Sequence, residues 1–175
     1  MMSAGGMQTL SMGGQEFLEK GLRAGFLLFL ALAAWQDVRE RSIAAGLLAG
    51  AGAGALVLRG GQLWLTVQAG EPVMTAVLSW LAGLAAAAGT GVFLLAAAAL
   101  TREAVGKGDG WFFLVAGWYL GGERAALLLG LSLLLCLPAG GLLLARGRMR
   151  GEPVWSLRLP FLPFAVPAGV ALALL

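Results

Sequence analysis

Only two aspartates occur in this 175-residue chain, Asp37 and Asp109, and each stands where an apolar run meets a short polar stretch. Asp37 opens Asp37-Val38-Arg39-Glu40-Arg41 after an apolar run from Leu22 to Gln36. Asp109 lies in Gly106-Lys107-Gly108-Asp109-Gly110, just ahead of another run from Trp111 to Leu120. Two carboxylates can hydrolyse an amide when one is ionised, to activate water, and the other is protonated, to donate to the substrate. Helix dipoles would push their pKa values apart: a helix N-terminus favours the anion at Asp109, and a helix C-terminus disfavours it at Asp37. On that argument Asp109 is the expected base and Asp37 the expected acid, although a close pair titrates as a unit. Arg39 and Arg41 oppose the effect at Asp37.

Residue type removes several other catalytic chemistries and leaves carboxylates or Lys to work with. The chain has no histidine, which removes Ser-His-Asp and Cys-His catalysis and HExxH metal sites. Its single cysteine, Cys136, sits in an apolar run, so neither an intrachain disulfide nor a cysteine zinc site can form. No G-x-x-x-x-G-K-[ST] phosphate loop is present, and no metal or organic cofactor is expected.

The elements that must position the aspartates read as membrane spans. Hydrophobic residues make up 59% of the chain and charged residues 12%, with a mean hydropathy of +0.87. A soluble domain needs a polar outer surface that this composition cannot supply. Apolar runs cover Leu22 to Gln36, Ile43 to Leu58, Val73 to Leu100, Trp111 to Leu120, Ala125 to Ala145 and Leu159 to Leu175. The expected fold is therefore all-α, a polytopic membrane bundle of about six transmembrane helices. Residues 1–20 are rich in Gly, Ser and Met and are expected as a poorly ordered tail, with residues 21–175 forming one domain.

Charge sets the expected orientation. The connections after the first, third and fifth spans hold Arg39, Arg41, Arg102, Lys107, Arg146, Arg148, Arg150 and Arg158; the other side holds Lys20, Arg23, Arg59 and Arg124. The positive-inside rule puts the first set, and both aspartates with it, in the cytoplasm. The net charge of +3 is scattered rather than gathered on one face, so nucleic acid is not an expected partner. Trp35, Trp111 and Trp155 fall near span ends, as interfacial aromatics do. Gly46, Gly50 and Gly54, and Gly83, Ala87 and Gly91, form four-residue stripes of small residues. Such stripes let helices approach closely, within the bundle first and in a homodimer second.

Three ordered elements carry a resemblance. Asp37-Val38-Arg39 followed by Ile43 resembles the D-x-R-x-x-x-I motif of type IV prepilin peptidases. Gly106-Lys107-Gly108-Asp109 is similar to that family's G-x-G-D motif, with Gly117 and Gly121 in its glycine pattern. Leu159-Pro160-Phe161-Leu162-Pro163-Phe164 resembles its late P-F-G-P-F segment before a final span. The chain departs from the family where Ala44-Ala45 replaces Pro-Asn, Gly110-Trp111 replaces Val-Lys, and Leu162 replaces Gly. The resemblance implies a six-helix intramembrane aspartic endopeptidase of the inner membrane, in its short, peptidase-only form. It implies Asp37 and Asp109 as the catalytic pair, a prepilin or pseudopilin as substrate, and Arg39, Gly106, Lys107 and Gly108 as residues that hold substrate or shape the loop. The competing expectation is a non-catalytic membrane protein: a pseudo-peptidase, an assembly partner or a small transporter. The long runs carry no ionisable residue at mid-depth, which counts against transport.

Overall fold

A computed structural model of the chain describes residues 4–40, 42–100, 106–150 and 161–174. Within them the apolar runs become six helices: α1 (Ala4–Glu40), α2 (Ala45–Gln68), α3 (Val73–Leu100), α4 (Lys107–Leu120), α5 (Gly122–Arg150) and α6 (Leu162–Leu174). The fold is all-helical, with no strand among the described residues. Two stretches, Val73–Leu100 and Gly122–Leu142, are long and apolar enough to cross a membrane; Leu162–Leu174 is apolar but shorter. Expectations placed on Arg41, Arg102, Trp155, Arg158, Leu159 and Pro160 lie outside the described residues.

The stretch expected as a tail differs: α1 starts at Ala4 and runs unbroken for 37 residues. The physical reason is a partner. The last turns of α2 lie alongside, where Leu18 packs on Gly61 and Leu65 packs on Gly14.

Successive helices alternate in direction. The α1 contacts Gly14 with Leu65 and Gly21 with Leu58 run antiparallel along α2, and Asp37 with Leu162 and Arg23 with Ala173 run antiparallel along α6. The last turn of α1 and the starts of α2, α4 and α6 therefore share one end of the bundle. Both aspartates are at that end.

The tightest packing joins α3 to α4. A Cβ at Gly91 would overlap the backbone of Leu114, and one at Gly117 would overlap the carbonyl oxygen of Ala87. The two backbones touch because neither glycine has a side chain. The second half of the Gly83, Ala87, Gly91 stripe thus does the work expected of it. Gly83, Gly46 and Gly50 face open space instead, and a Cβ at Gly54 would meet only the hydroxyl of Tyr119, at 3.2 Å. Gly121, at φ +87°, ends α4 and lets α5 begin at the next residue. Beneath the aspartates the core is aromatic: Phe26, Phe29, Phe112 and Phe113 are all buried, with Leu30 and Leu162 beside them.

Candidate active site

Three short segments meet at the aspartate end. The first is the last turn of α1. Asp37 is 9% exposed there, and its Oδ2 accepts the backbone N–H of Leu162 at 3.2 Å. Leu162 is the first residue of α6, so the carboxylate occupies the place of an N-terminal cap and takes one of the donors that a helix start leaves unpaired. The neighbouring Gln36 closes the turn into α2: its Oε1 accepts the N–H of Ala44 at 3.0 Å.

The second segment is the glycine loop. Gly106 caps α4 in an extended conformation, and its carbonyl accepts the N–H of Asp109 at 3.1 Å. Oδ2 of Asp109 folds back over Gly106 so closely that a Cβ there would sit 3.0 Å from it. Gly108 lies under Ile43, whose side chain would be in ordinary contact, 3.8 Å, with a Cβ at that position. The end of the first motif therefore packs on the middle of the second. Gly110 is crowded by the side chain of Leu95, 2.7 Å from where its Cβ would be, so a larger residue there requires Leu95 to shift.

The third segment is the start of α6. Phe161 brings its ring to 6.1 Å from Phe113; Phe113 meets Phe112 edge-on at 5.3 Å, and Phe112 stacks on Phe29 at 5.0 Å. This chain of rings ties α6, α4 and α1 together directly below the carboxylates. Offset and edge-to-face pairs each contribute about 0.5–1.5 kcal/mol beyond simple area burial. At the far end, α4 is held by Arg59, whose Nε and Nη2 donate to the carbonyls of Trp118 at 2.9 Å and Tyr119 at 3.1 Å, and by the Tyr119 hydroxyl, which donates to Ala51 at 2.8 Å.

Both carboxylates lie outside the apolar runs, and both hold their protons more tightly than an ordinary aspartate. Burial first, and the charge of Asp37 second, together raise Asp109 to about 6. Burial raises Asp37 too, opposed by the hydrogen bond from Leu162. Asp37 alone of the two has a cause that lowers its pKa, the donor from Leu162, which leaves Asp109 as the partner that keeps the proton. This ordering is the reverse of the one expected from helix dipoles. Desolvation outweighs the half-charge of the α4 N-terminus at Asp109, while Asp37 is stabilised as an anion by the N-terminus of α6, a neighbour the first motif does not reveal.

Of the other expected site residues, Gly106 and Gly108 contact the pair's immediate surroundings. Lys107 is exposed on the first turn of α4. Arg39 lies elsewhere: its guanidinium stands 5.2 Å over the ring of Trp35, one turn earlier on α1 and on the opposite face from Asp37. Sequence reasoning missed Gln36, the Phe29, Phe112, Phe113 ladder and the Leu162 N–H. The run Trp111-Phe112-Phe113 beside the aspartate was the signal for the ladder; a backbone donor leaves none. Comparison with models of known families, with curated proteins and with solved structures finds no match to this chain.

Proposed function

We propose that the chain is a six-span, membrane-embedded aspartic endopeptidase that removes leader peptides from type IV prepilin-like substrates at the cytoplasmic face of the inner membrane. The observation that carries the reading is the convergence of three segments remote in sequence: Ile43 on Gly108, Asp37 on Leu162, and two carboxylates near enough that the charge of one shifts the other. Asp37 serves as the base and Asp109 as the acid. Asp37 takes a proton from water, the water oxygen bonds to the scissile carbonyl carbon, and Asp109 gives its proton to the carbonyl oxygen. Collapse of the resulting gem-diol breaks the C–N bond, with a proton delivered to the departing amine.

The test is cleavage of a co-expressed prepilin-like substrate from the same genome, in membranes containing wild-type, Asp37→Asn or Asp109→Asn protein at equal abundance. Cleavage by the wild type and a loss of about 10²–10⁴-fold in each variant is the expected result. If well-folded wild type leaves every native prepilin-like protein uncut, or both variants cut normally, the reading fails. A non-catalytic role then takes its place, favoured by the stacking of Arg39 on Trp35 and by the crowded space at Gly110.

A further inference from the structure

At the end of the bundle away from the aspartates, Arg23 of α1, Arg59 of α2 and Arg124 of α5 line one cleft of about 260 Å³, with Glu19 as the single acid among its walls. Arg59 is committed to the fold: three of its N–H groups reach Trp118, Tyr119 and Gln62. Arg23 makes one long contact, to the carbonyl of Ala173 at 3.4 Å, which leaves most of its planar fork facing the cleft. Three guanidinium groups against one carboxylate suit a doubly oxygenated anion, because the Arg fork matches phosphate geometry.

Depth narrows the choice of anion. Arg23 precedes Asp37 by fourteen residues of α1, about 21 Å of helix. Arg59 follows the start of α2 at Ala45 by the same distance, about 21 Å. The helices α4, of 14 residues, and α6, of 13 residues, reach only about 20 Å as well. A bilayer core is about 30 Å thick, so with the aspartates at one surface the arginines lie below the other. Charged groups at such a depth draw the bilayer thinner and bring headgroups down to them.

We propose that this cleft binds the phosphate of an anionic phospholipid from the outer leaflet, with Arg23 and Arg124 as its ligands and Arg59 fixing the wall between them. The inference rests on the bilayer placement of the bundle and not on its peptidase chemistry.

The test uses the full chain purified in a neutral detergent and titrated with dioleoyl phosphatidylglycerol, dioleoyl phosphatidylcholine or inorganic phosphate. Bound lipid is read by native mass spectrometry and thermal stability by fluorescence. Phosphatidylglycerol should bind and raise the unfolding temperature, and phosphatidylcholine should do neither. Arg23→Gln with Arg124→Gln should weaken binding at least about tenfold; Arg124→Gln alone, at a half-exposed position, should weaken it several-fold should the pair unfold; Lys20→Gln, which removes a charge outside the cleft, should change nothing. Equal binding of both lipids, unaltered binding in the Arg variants, or a full stabilisation by phosphate alone would overturn the proposal, the last by making the occupant a free anion. Failure of leader cleavage leaves these readouts untouched.

Discussion

The backbone N–H of Leu162 donates to Oδ2 of Asp37 at 3.2 Å, across 125 positions of sequence. It makes the start of α6 part of the electrostatics of the site, because a donor aimed at the carboxylate favours its anion. Proline at position 162 deletes that donor yet suits the first turn of a helix. Leu162→Pro should therefore raise the pKa of Asp37 and move the acid limb of a leader-cleavage pH profile to higher pH. Leu162→Ala removes the buried side chain but keeps the N–H, and should lower stability while leaving that limb in place. A limb that moves equally in both variants would assign the effect to packing.

On the proposed chemistry, the alkaline limb of that profile should belong to Asp109. With its carboxyl raised to about 6 and acting as the proton donor, cleavage should decline as pH rises through 6, by about tenfold per unit well above it. Both limbs are properties of the coupled pair. A rate that stays level to about pH 9 would remove Asp109 from the donor role.

Stability carries the same signature. Asp109 binds its proton more tightly folded, at about 6, than at the ordinary value of 3.8. The folded state therefore gains as pH falls through 6, with the gain complete below 3.8, and the buried anion is a cost above 6. Asp109→Asn, neutral throughout, should unfold at a higher temperature than wild type near neutral pH and show a flatter dependence. The cost removed is at most about 3 kcal/mol, less for the exposed edge of the carboxyl. Asp37 shifts in the same direction, so some slope should persist. Thermal unfolding in detergent across this range is the measurement.

The small-residue stripes divide into positions that matter and positions that do not. Gly91→Ala and Gly117→Ala would press a methyl into the backbone of the facing helix, and should destabilise the protein by about 1–3 kcal/mol or more. Gly46→Ala and Gly50→Ala meet nothing within 4 Å, and should be neutral or stabilising by up to about 1 kcal/mol. Denaturant or thermal unfolding of the four variants separates the groups. Equal losses at all four would indicate that the open face of α2 is covered in the native membrane.

What the sequence made legible follows from what leaves a periodic or compositional mark. The runs from Val73 to Leu100 and Trp111 to Leu120 became α3 and α4 with nearly the expected ends, because apolar length and flanking polar residues mark such boundaries. The two aspartates fell at one end of the bundle because alternating helices bring the end of α1 and the start of α4 to the same side. The helical course of residues 4–20 was hidden, since Gly and Ser argue against a helix and only the neighbouring turns of α2 argue for one. The proton balance of the pair was hidden for a similar reason: Leu162, remote in sequence, supplies the donor, and burial at Asp109 is a property of the assembled core. Nor does a stripe of glycines reveal which side will meet another helix, as Gly91 and Gly46 illustrate.

The helix α4 is gripped at its far end by Arg59, through the carbonyls of Trp118 and Tyr119, and carries Asp109 at its near end. Its length is consequently a phase as well as a span. One residue added between Asp109 and Trp118 would turn the carboxylate through about 100° and displace it by about 1.5 Å, even with every contact at the gripped end intact. Through this short rod, the spacing of residues on one side of the molecule sets the phase of the carboxylate on the other.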